Sequence, residues 1–235
     1  MIKGAQMLSL LIDNLELWAE GLKNTVSITV LGLIFGFFLA LPIALARLSR
    51  NKILSSLAYG YIYLVRGTPL LVQIFIIYYG LGQFNQELRS AGLWWFFRDA
   101  YYCGLTAFVL NSAAYQAEIL RGGIQAVPTG IVEAGKALGL SGYQSFRRII
   151  LPITTARMLP AFGNEFVGLL KASALISIIT VRDLMGQARY LFSETFDLSV
   201  FYIAAANYLL VVLLIEAVWR RLEGRNEWLR YFEGH

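Results

Sequence analysis

The chain has 235 residues, is 57% hydrophobic and 15% charged, and carries a formal net charge of +5. Soluble domains of this length carry about a quarter charged residues, so the shortfall points to lipid as the solvent. One cysteine, Cys103, and one histidine, His235, exclude a disulfide framework and a thiolate zinc site, and remove most histidine-based metal and acid–base chemistry. The basic excess would suggest nucleic acid in a soluble protein; here the placement of the charges matters more than their sum, and no nucleic-acid partner is expected.

A spanning helix needs about 20 mostly apolar residues, and five segments meet or approach that length. Asn24 to Ala46 is uncharged throughout. It is too long for a signal peptide, and Asp13, Glu16 and Glu20 precede it where a basic region would be required. Ile53 to Gln86 is uncharged apart from Arg66 and exceeds one span, so its helix should end near Tyr79 and Gly80. Arg66, with Gly67-Thr68-Pro69, should mark a kink and pair locally. Leu81 to Asp99 is a loop holding Trp94, Trp95, Phe96 and Phe97, an aromatic cluster of the kind that anchors at headgroup level. Ala100 to Ala117 is short but free of charge, Met158 to Val181 carries Glu165 and Lys171, and Leu198 to Ile215 closes the set. The expected architecture is an all-α membrane protein, one domain over 1–235, with spans near 22–47, 56–80, 100–121, 157–181 and 198–220 and a polar loop over 122–155.

Five crossings place the two ends on opposite sides. One side then holds Arg47, Arg50, Lys52, Arg121, Lys136, Arg147, Arg148, Arg157, Arg220, Arg221, Arg225 and Arg230. The other holds Lys3, Lys23, Arg89, Arg98, Arg182 and Arg189. The richer side is expected to be cytoplasmic, which puts the N-terminus outside and the C-terminus inside.

The long loop on that side is regular. Thr129 is placed to cap a short helix, and Ile131, Ala134 and Leu138 share one of its faces. Gly139 is placed to end it, and Tyr143 to Ile150 reads as a second short helix that Pro152 closes before the fourth span. Gly130 to Ala137 nearly spells a phosphate-binding loop, but Ala137 stands where a magnesium-ligating hydroxyl is needed, and no strand pattern precedes it. A linker needs no caps. A short helix with small residues at Ala134, Gly135, Ala137 and Gly139 suits a groove on a cytoplasmic partner.

Glu133-Ala134-Gly135, Gly139 and Ile150-Leu151-Pro152 resemble the EAA loop of bacterial ABC importer permeases. That pattern is E-A-A, a glycine four residues on, and a near variant of I-x-L-P. The stretches "RGTPLLVQIFIIYYGLGQF", "NSAAYQAEILRGGIQAVPTG" and "LPAFGNEFVGLLKASAL" are similar to the polar amino-acid permeases for histidine, arginine, ornithine or opines, and the likeness runs from about Gly21 to Arg225. Gly135 stands where alanine is usual, Ile131 where glutamine is frequent, and Ala172-Ser173-Ala174 replaces a more polar pattern.

The resemblance implies the type I ABC importer permease fold. It makes Glu133, Ala134, Gly135, Gly139 and Pro152 the ATPase-coupling residues. It also implies two ATPase subunits that bind ATP and magnesium, this chain binding neither. A second permease subunit is expected, a homologous heterodimer partner being favoured over an identical copy, together with an extracytoplasmic substrate-binding protein and a place in the bacterial inner membrane.

Charges inside spans are costly and are functional candidates by default. Glu165 would meet a cationic substrate side chain or else an internal cation such as Arg66 or a neighbouring subunit's lysine; Asn164 beside it both donates and accepts. Thr68 and Lys171 complete the candidate substrate set, although Lys171 also fits a structural role, its ammonium reaching the interface. Glu118 and Arg121 should pin the loop or a gate. The rival from another class is an ion-coupled secondary transporter with Glu165 and Lys171 as relay groups; a membrane enzyme lacks the histidine and cysteine constellations it would need. Alkaline phosphatase fused after Ser90 should be active and fused after Ser141 inactive; activity at Ser141 would overturn the orientation.

Overall fold

The computed structural model describes residues 2–224, with side chains from residue 7 onward. The Lys3 side chain and Arg225, Arg230 and His235, which entered the readings above, lie outside the described residues. All regular structure among the described residues is helical. In lipid only an internally hydrogen-bonded backbone is affordable, and the helix is the form that a single segment can close by itself.

The chain opens with α1 (Ile2–Ile12) and the long α2 (Leu15–Leu48), followed by α3 (Lys52–Gly67) and α4 (Leu70–Phe75), which continues as a π-helical turn over Ile76–Gly80. Two short helices, α5 (Asn85–Ser90) and α6 (Trp94–Phe97), lead into α7 (Ala100–Gln125). Then come α8 (Thr129–Ala137), α9 (Gly142–Ser145), a π-helical turn (Phe146–Ile150) and α10 (Leu151–Ala172), which tightens into a 3₁₀ helix over Ser173–Ile179. The last two helices are α11 (Leu184–Thr195) and α12 (Ser199–Gly224).

Three rods are long and apolar enough to cross a membrane: Leu15–Leu48, Gly142–Ile179 and Ser199–Gly224. The pair α3 and α4, taken together, makes a fourth. The helix α7 is long enough but not apolar enough to stand with them, because it faces protein rather than lipid. Asn111, Ser112 and Gln116 are buried on it, and Ala107, Ala113, Ala114 and Ala117 have no exposed surface. Its main neighbour is α2, which is apolar all round and so gives no amphipathic signal. What selects the buried face of α2 is size: Gly32, Gly36, Ala40 and Ala44 recur every fourth residue along it and are buried. With no hydrophobic drive between helices in lipid, small residues let two backbones approach and gain dispersion contact.

The kink expected at Gly67-Thr68-Pro69 is a full break, with α3 and α4 turned by 103°. Pro69 cannot donate a hydrogen bond and biases Thr68 out of the helical region, and Thr68 is indeed extended, with ψ of 145°. The single span expected over 56–80 is therefore a 16-residue helix and a short segment that leaves its axis. At about 1.5 Å per residue α3 is roughly 24 Å long, less than the roughly 30 Å of a hydrocarbon core.

The expected second short helix ending at Pro152 is not separate. Residues Gly142–Ile179 form one continuous rod, and Pro152 lies in the first turn of α10. A proline there lacks a donor and its ring crowds the preceding turn. The π-helical turn over Phe146–Ile150 widens that turn and accommodates it. The rod is braced against α12 by Trp219, whose indole N–H donates to the Leu159 carbonyl at 2.7 Å. A Cβ at Gly163 would lie 2.5 Å from that ring, so glycine is what allows the indole to seat.

Candidate functional site

The break in α3–α4 opens a cavity of about 520 Å³ against α7 and α10, lined by Arg66, Thr68, Asn111, Tyr115 and Glu165 among others. These polar side chains come from α3, the break, α7 and α10, and no single helix could bring them together. Gln73, one turn after the break, holds it in shape. Its amide nitrogen donates to the Val65 carbonyl at 2.7 Å, to the Thr68 carbonyl at 3.2 Å and to the Thr68 hydroxyl at 2.9 Å. Its oxygen accepts from Asn111 Nδ2 of α7 at 3.0 Å. One side chain thus serves backbone carbonyls at the break and ties the bent segment to the central helix.

Glu165 accepts a hydrogen bond from Ser112 Oγ at 2.9 Å. It forms no ion pair within 4.0 Å among the described residues. Arg66 shares its cavity but lies over the Tyr115 ring, 4.9 Å from the centroid. A carboxylate and a guanidinium therefore face one space, each steadied by an uncharged neighbour and neither spent on the other.

The expected substrate set is divided. Thr68 and Glu165 line this cavity, whereas Asn164 and Lys171 line a second one of about 480 Å³ between α10 and α12, with Glu216 and Arg220. The helical repeat explains the split. Asn164 and Lys171 are seven residues apart and face one way, while Glu165 is turned from both by about 100° or more. Lys171 has no carboxylate within 4.0 Å among the described residues, and Arg220 pairs with Glu216 at 3.8 Å.

At the other end of the rod, α8 and α9 form a tight hairpin. Pro128, not Thr129, occupies the N-cap position of α8, and no side chain caps it there. The stop is as expected. Gly139 has φ of 78°, its N–H donates to Lys136 at 2.9 Å, and the Leu140 N–H reaches back to Gly135 at 3.1 Å. Ser141 and Gln144 then cap α9 reciprocally. Gly135 is buried, and a Cβ there would lie 2.6 Å from Ile149 Cδ1, so the glycine lets α8 lie against the rod.

The Ile131, Ala134 and Leu138 face looks outward. Leu138 is 83% and Tyr143 70% exposed, and Glu133 and Ala134 are exposed beside them. Residues 130–137, the near match to a phosphate loop, lie inside the helix. Pro152, expected in the coupling set, stands in the rod behind the hairpin.

A knot of charges ties this end together. Glu118 pairs with Arg121 at 2.7 Å and with Arg47, at the end of α2, at 3.7 Å. Arg47 also donates to Ser55 of α3 at 3.2 Å and lies over the Tyr59 ring. Arg157 of α10 donates to the Ala126 carbonyl just past α7. Glu118 and Arg121, expected to pin the loop or a gate, tie α7 to the end of α2 through Arg47, and the contact to the start of the loop is made by Arg157.

A helical membrane chain with a polar cavity at a broken span and a rigid, outward-facing hairpin is a transport protein of the type I ABC importer permease fold. It belongs to the family of binding-protein-dependent transport system inner membrane components, whose pattern matches residues 32–227. It is 42% identical over 222 residues to the nopaline transport system permease protein NocM of Agrobacterium fabrum, covering 94% of this chain and 90% of that one. It is 38% identical to the arginine ABC transporter permease protein ArtM of Haemophilus influenzae, covering 90% and 92%. A chain in the crystal structure of an amino acid ABC transporter with histidines superposes with a TM-score of 0.83 at 37% identity, covering 93% of this chain and 98% of that one.

Sequence reasoning found the charged members of the site and missed Gln73, Asn111, Ser112, Tyr115 and Gln116. The available signal was an uncharged polar residue inside an apolar segment, which carries the same desolvation cost in smaller measure. Replacing Gln73 with leucine removes the donor to the carbonyls of Val65 and Thr68 and strands Asn111. The variant is expected to lose about 1–3 kcal/mol of stability, read as a lower melting temperature in detergent, whereas a neutral result would mean that the break is held by packing alone.

Proposed function

We propose that this chain is a transmembrane subunit of an ATP-driven importer that carries cationic amino acids or their opine derivatives into the cytoplasm by alternating access. The observation that carries the substrate class is Glu165, a carboxylate facing a polar cavity with a hydroxyl donor and no cation bonded to it among the described residues. A guanidinium or ammonium entering that cavity meets a counter-charge in a medium where charge pairs are strong. Arg66 in the same cavity supplies the counter-charge for the carboxylate that such substrates also bear. The relatives named for nopaline and arginine support this reading.

Five crossings, the N-terminus outside and the α8–α9 hairpin inside, fit the cation bias. The exposed face of α8, with Glu133, Ala134 and Leu138, docks in a groove of an ATPase subunit that binds ATP and magnesium. Gly135 lets the docked helix pack on the rod, Gly139 ends it in a tight turn, and the rod runs on through Pro152, so movement of the ATPase is passed to α10 and its Glu165. A second permease subunit completes the path, with the homologous heterodimer as the expected pairing, and an extracytoplasmic binding protein delivers the substrate. No covalent chemistry occurs in this chain. The ion-coupled alternative gains nothing from the geometry, since Glu165 and Lys171 line different cavities.

Two variants test the proposal. Glu165→Gln keeps the shape and removes the charge; uptake of labelled arginine should fall roughly tenfold to a hundredfold with normal membrane abundance. Low abundance would show instead that Glu165 balances a cation of the protein. Glu133→Lys should cost about 2–5 kcal/mol at a docked surface, abolishing uptake and weakening co-purification with the ATPase; normal uptake would remove the docking role.

A further inference from the structure

We infer that Gln116 is a positioning residue of the substrate cavity, setting the direction of the Ser112 hydroxyl so that it donates to Glu165. This rests on the reading of Glu165 as the substrate's counter-charge and adds what keeps that carboxylate in its acceptor role. Gln116 lies one turn from Ser112 on α7, and both are fully buried, at 1% and 0% exposure. The amide nitrogen of Gln116 donates to the Leu33 carbonyl of α2 at 3.0 Å and to Ser112 Oγ at 2.8 Å. Ser112 Oγ in turn donates to Glu165 Oε1 at 2.9 Å. A hydrogen-bonded line therefore runs from the backbone of α2, through α7, to the cavity face of α10.

The direction of every bond in that line follows from one fixed point. The Leu33 carbonyl can only accept, so the end of the Gln116 amide that faces it must be the NH₂. That nitrogen's second hydrogen then points at Ser112, whose oxygen accepts it. A serine hydroxyl has a single hydrogen, and the remaining partner within reach is Glu165, so Ser112 donates there. A carboxylate answers that donor with either of its lone pairs and stays free to accept from a cation, whereas a neutral acid would offer one oxygen fewer. The line thus fixes Glu165 as an acceptor facing the cavity and biases the cavity toward a cationic ligand over a neutral one of the same shape.

Gly36 of α2 makes the line possible. A Cβ there would lie 3.1 Å from Gln116 Nε2, 3.1 Å from the Ser112 Cβ and 3.3 Å from the Ala113 nitrogen, so these neighbours would have to give by a few tenths of an ångström. The absence of a side chain at Gly36 is what lets α7 present a glutamine and a serine edge-on to the backbone of α2.

Arginine and citrulline test the inference, because they share a shape and differ in charge. The probe is labelled arginine bound to the purified permease–ATPase complex without binding protein, displaced by unlabelled arginine or citrulline. The parent should prefer arginine, and Glu165→Gln should lose that preference. Gln116→Met, which keeps the length and removes both donors, should narrow the preference about tenfold while the complex assembles in normal yield. If Gln116→Met fails to assemble, Ser112→Ala leaves the bond to Leu33 intact, removes the donor to Glu165 and should narrow the preference likewise. Loss of preference in Glu165→Gln with full preference in an assembled Gln116→Met complex, or in Ser112→Ala, overturns the inference and leaves the Glu165 reading standing. Full preference in Glu165→Gln overturns that reading and the inference together.

Discussion

A helix broken at membrane depth frees backbone carbonyls that lipid cannot satisfy, and the structure depends on how that debt is settled between α3 and α4. Pro69 supplies no N–H and the chain turns by 103°. The amide of Gln73 answers the carbonyls of Val65 and Thr68 and anchors the bent segment to Asn111. Without such a donor the carbonyls of Val65 and Thr68 would lose their partner, at a cost of about 1–3 kcal/mol. The polar site is therefore a consequence of a satisfied break, and the bond to α7 makes the position of the bent segment answer to the central helix.

The rod of α10 distributes charge by its repeat. Glu165 looks into the cavity of the broken span, Asn164 and Lys171 look toward α12, and the first turns of the same rod carry the hairpin that ends in α8. Because Pro152 is absorbed by a π-helical turn instead of ending a helix, one continuous helical rod runs from the end of the hairpin to the cavity. The Arg47–Glu118–Arg121 knot ties the ends of α2 and α7 together, and the bond from Arg157 to Ala126 ties the rod to them.

The central helix α7 does the opposite of a lipid-facing span. It hides its polar side chains, and hydrogen bonds offset their desolvation: Asn111 is matched by Gln73, Gln116 by Leu33 and Ser112, Ser112 by Glu165. A buried polar network of this kind rigidifies only when every member is satisfied. Here the network also joins α2, α4 and α10 to one helix, so the geometry around Glu165 is set from three directions.

The sequence by itself determined the solvent, the helical class, the charge of the site and the stop of α8. Apolar length and scarce charge are one-dimensional properties, and so are a glycine after a short periodic helix and a lone carboxylate in a span. Gly139 and Glu165 were legible for that reason. The tertiary structure decided what shares a cavity. Thr68 and Glu165 meet, while Asn164, next to Glu165 in sequence, faces elsewhere. Helical rotation separates neighbours, and only the packing of α7 against a small-residue stripe of α2 fixes which face of each helix looks inward. The roles of Gln73 and Gln116 were invisible for the same reason: an amide's partners are backbone carbonyls on other elements, and a carbonyl has no signature in sequence until the chain has brought it within reach.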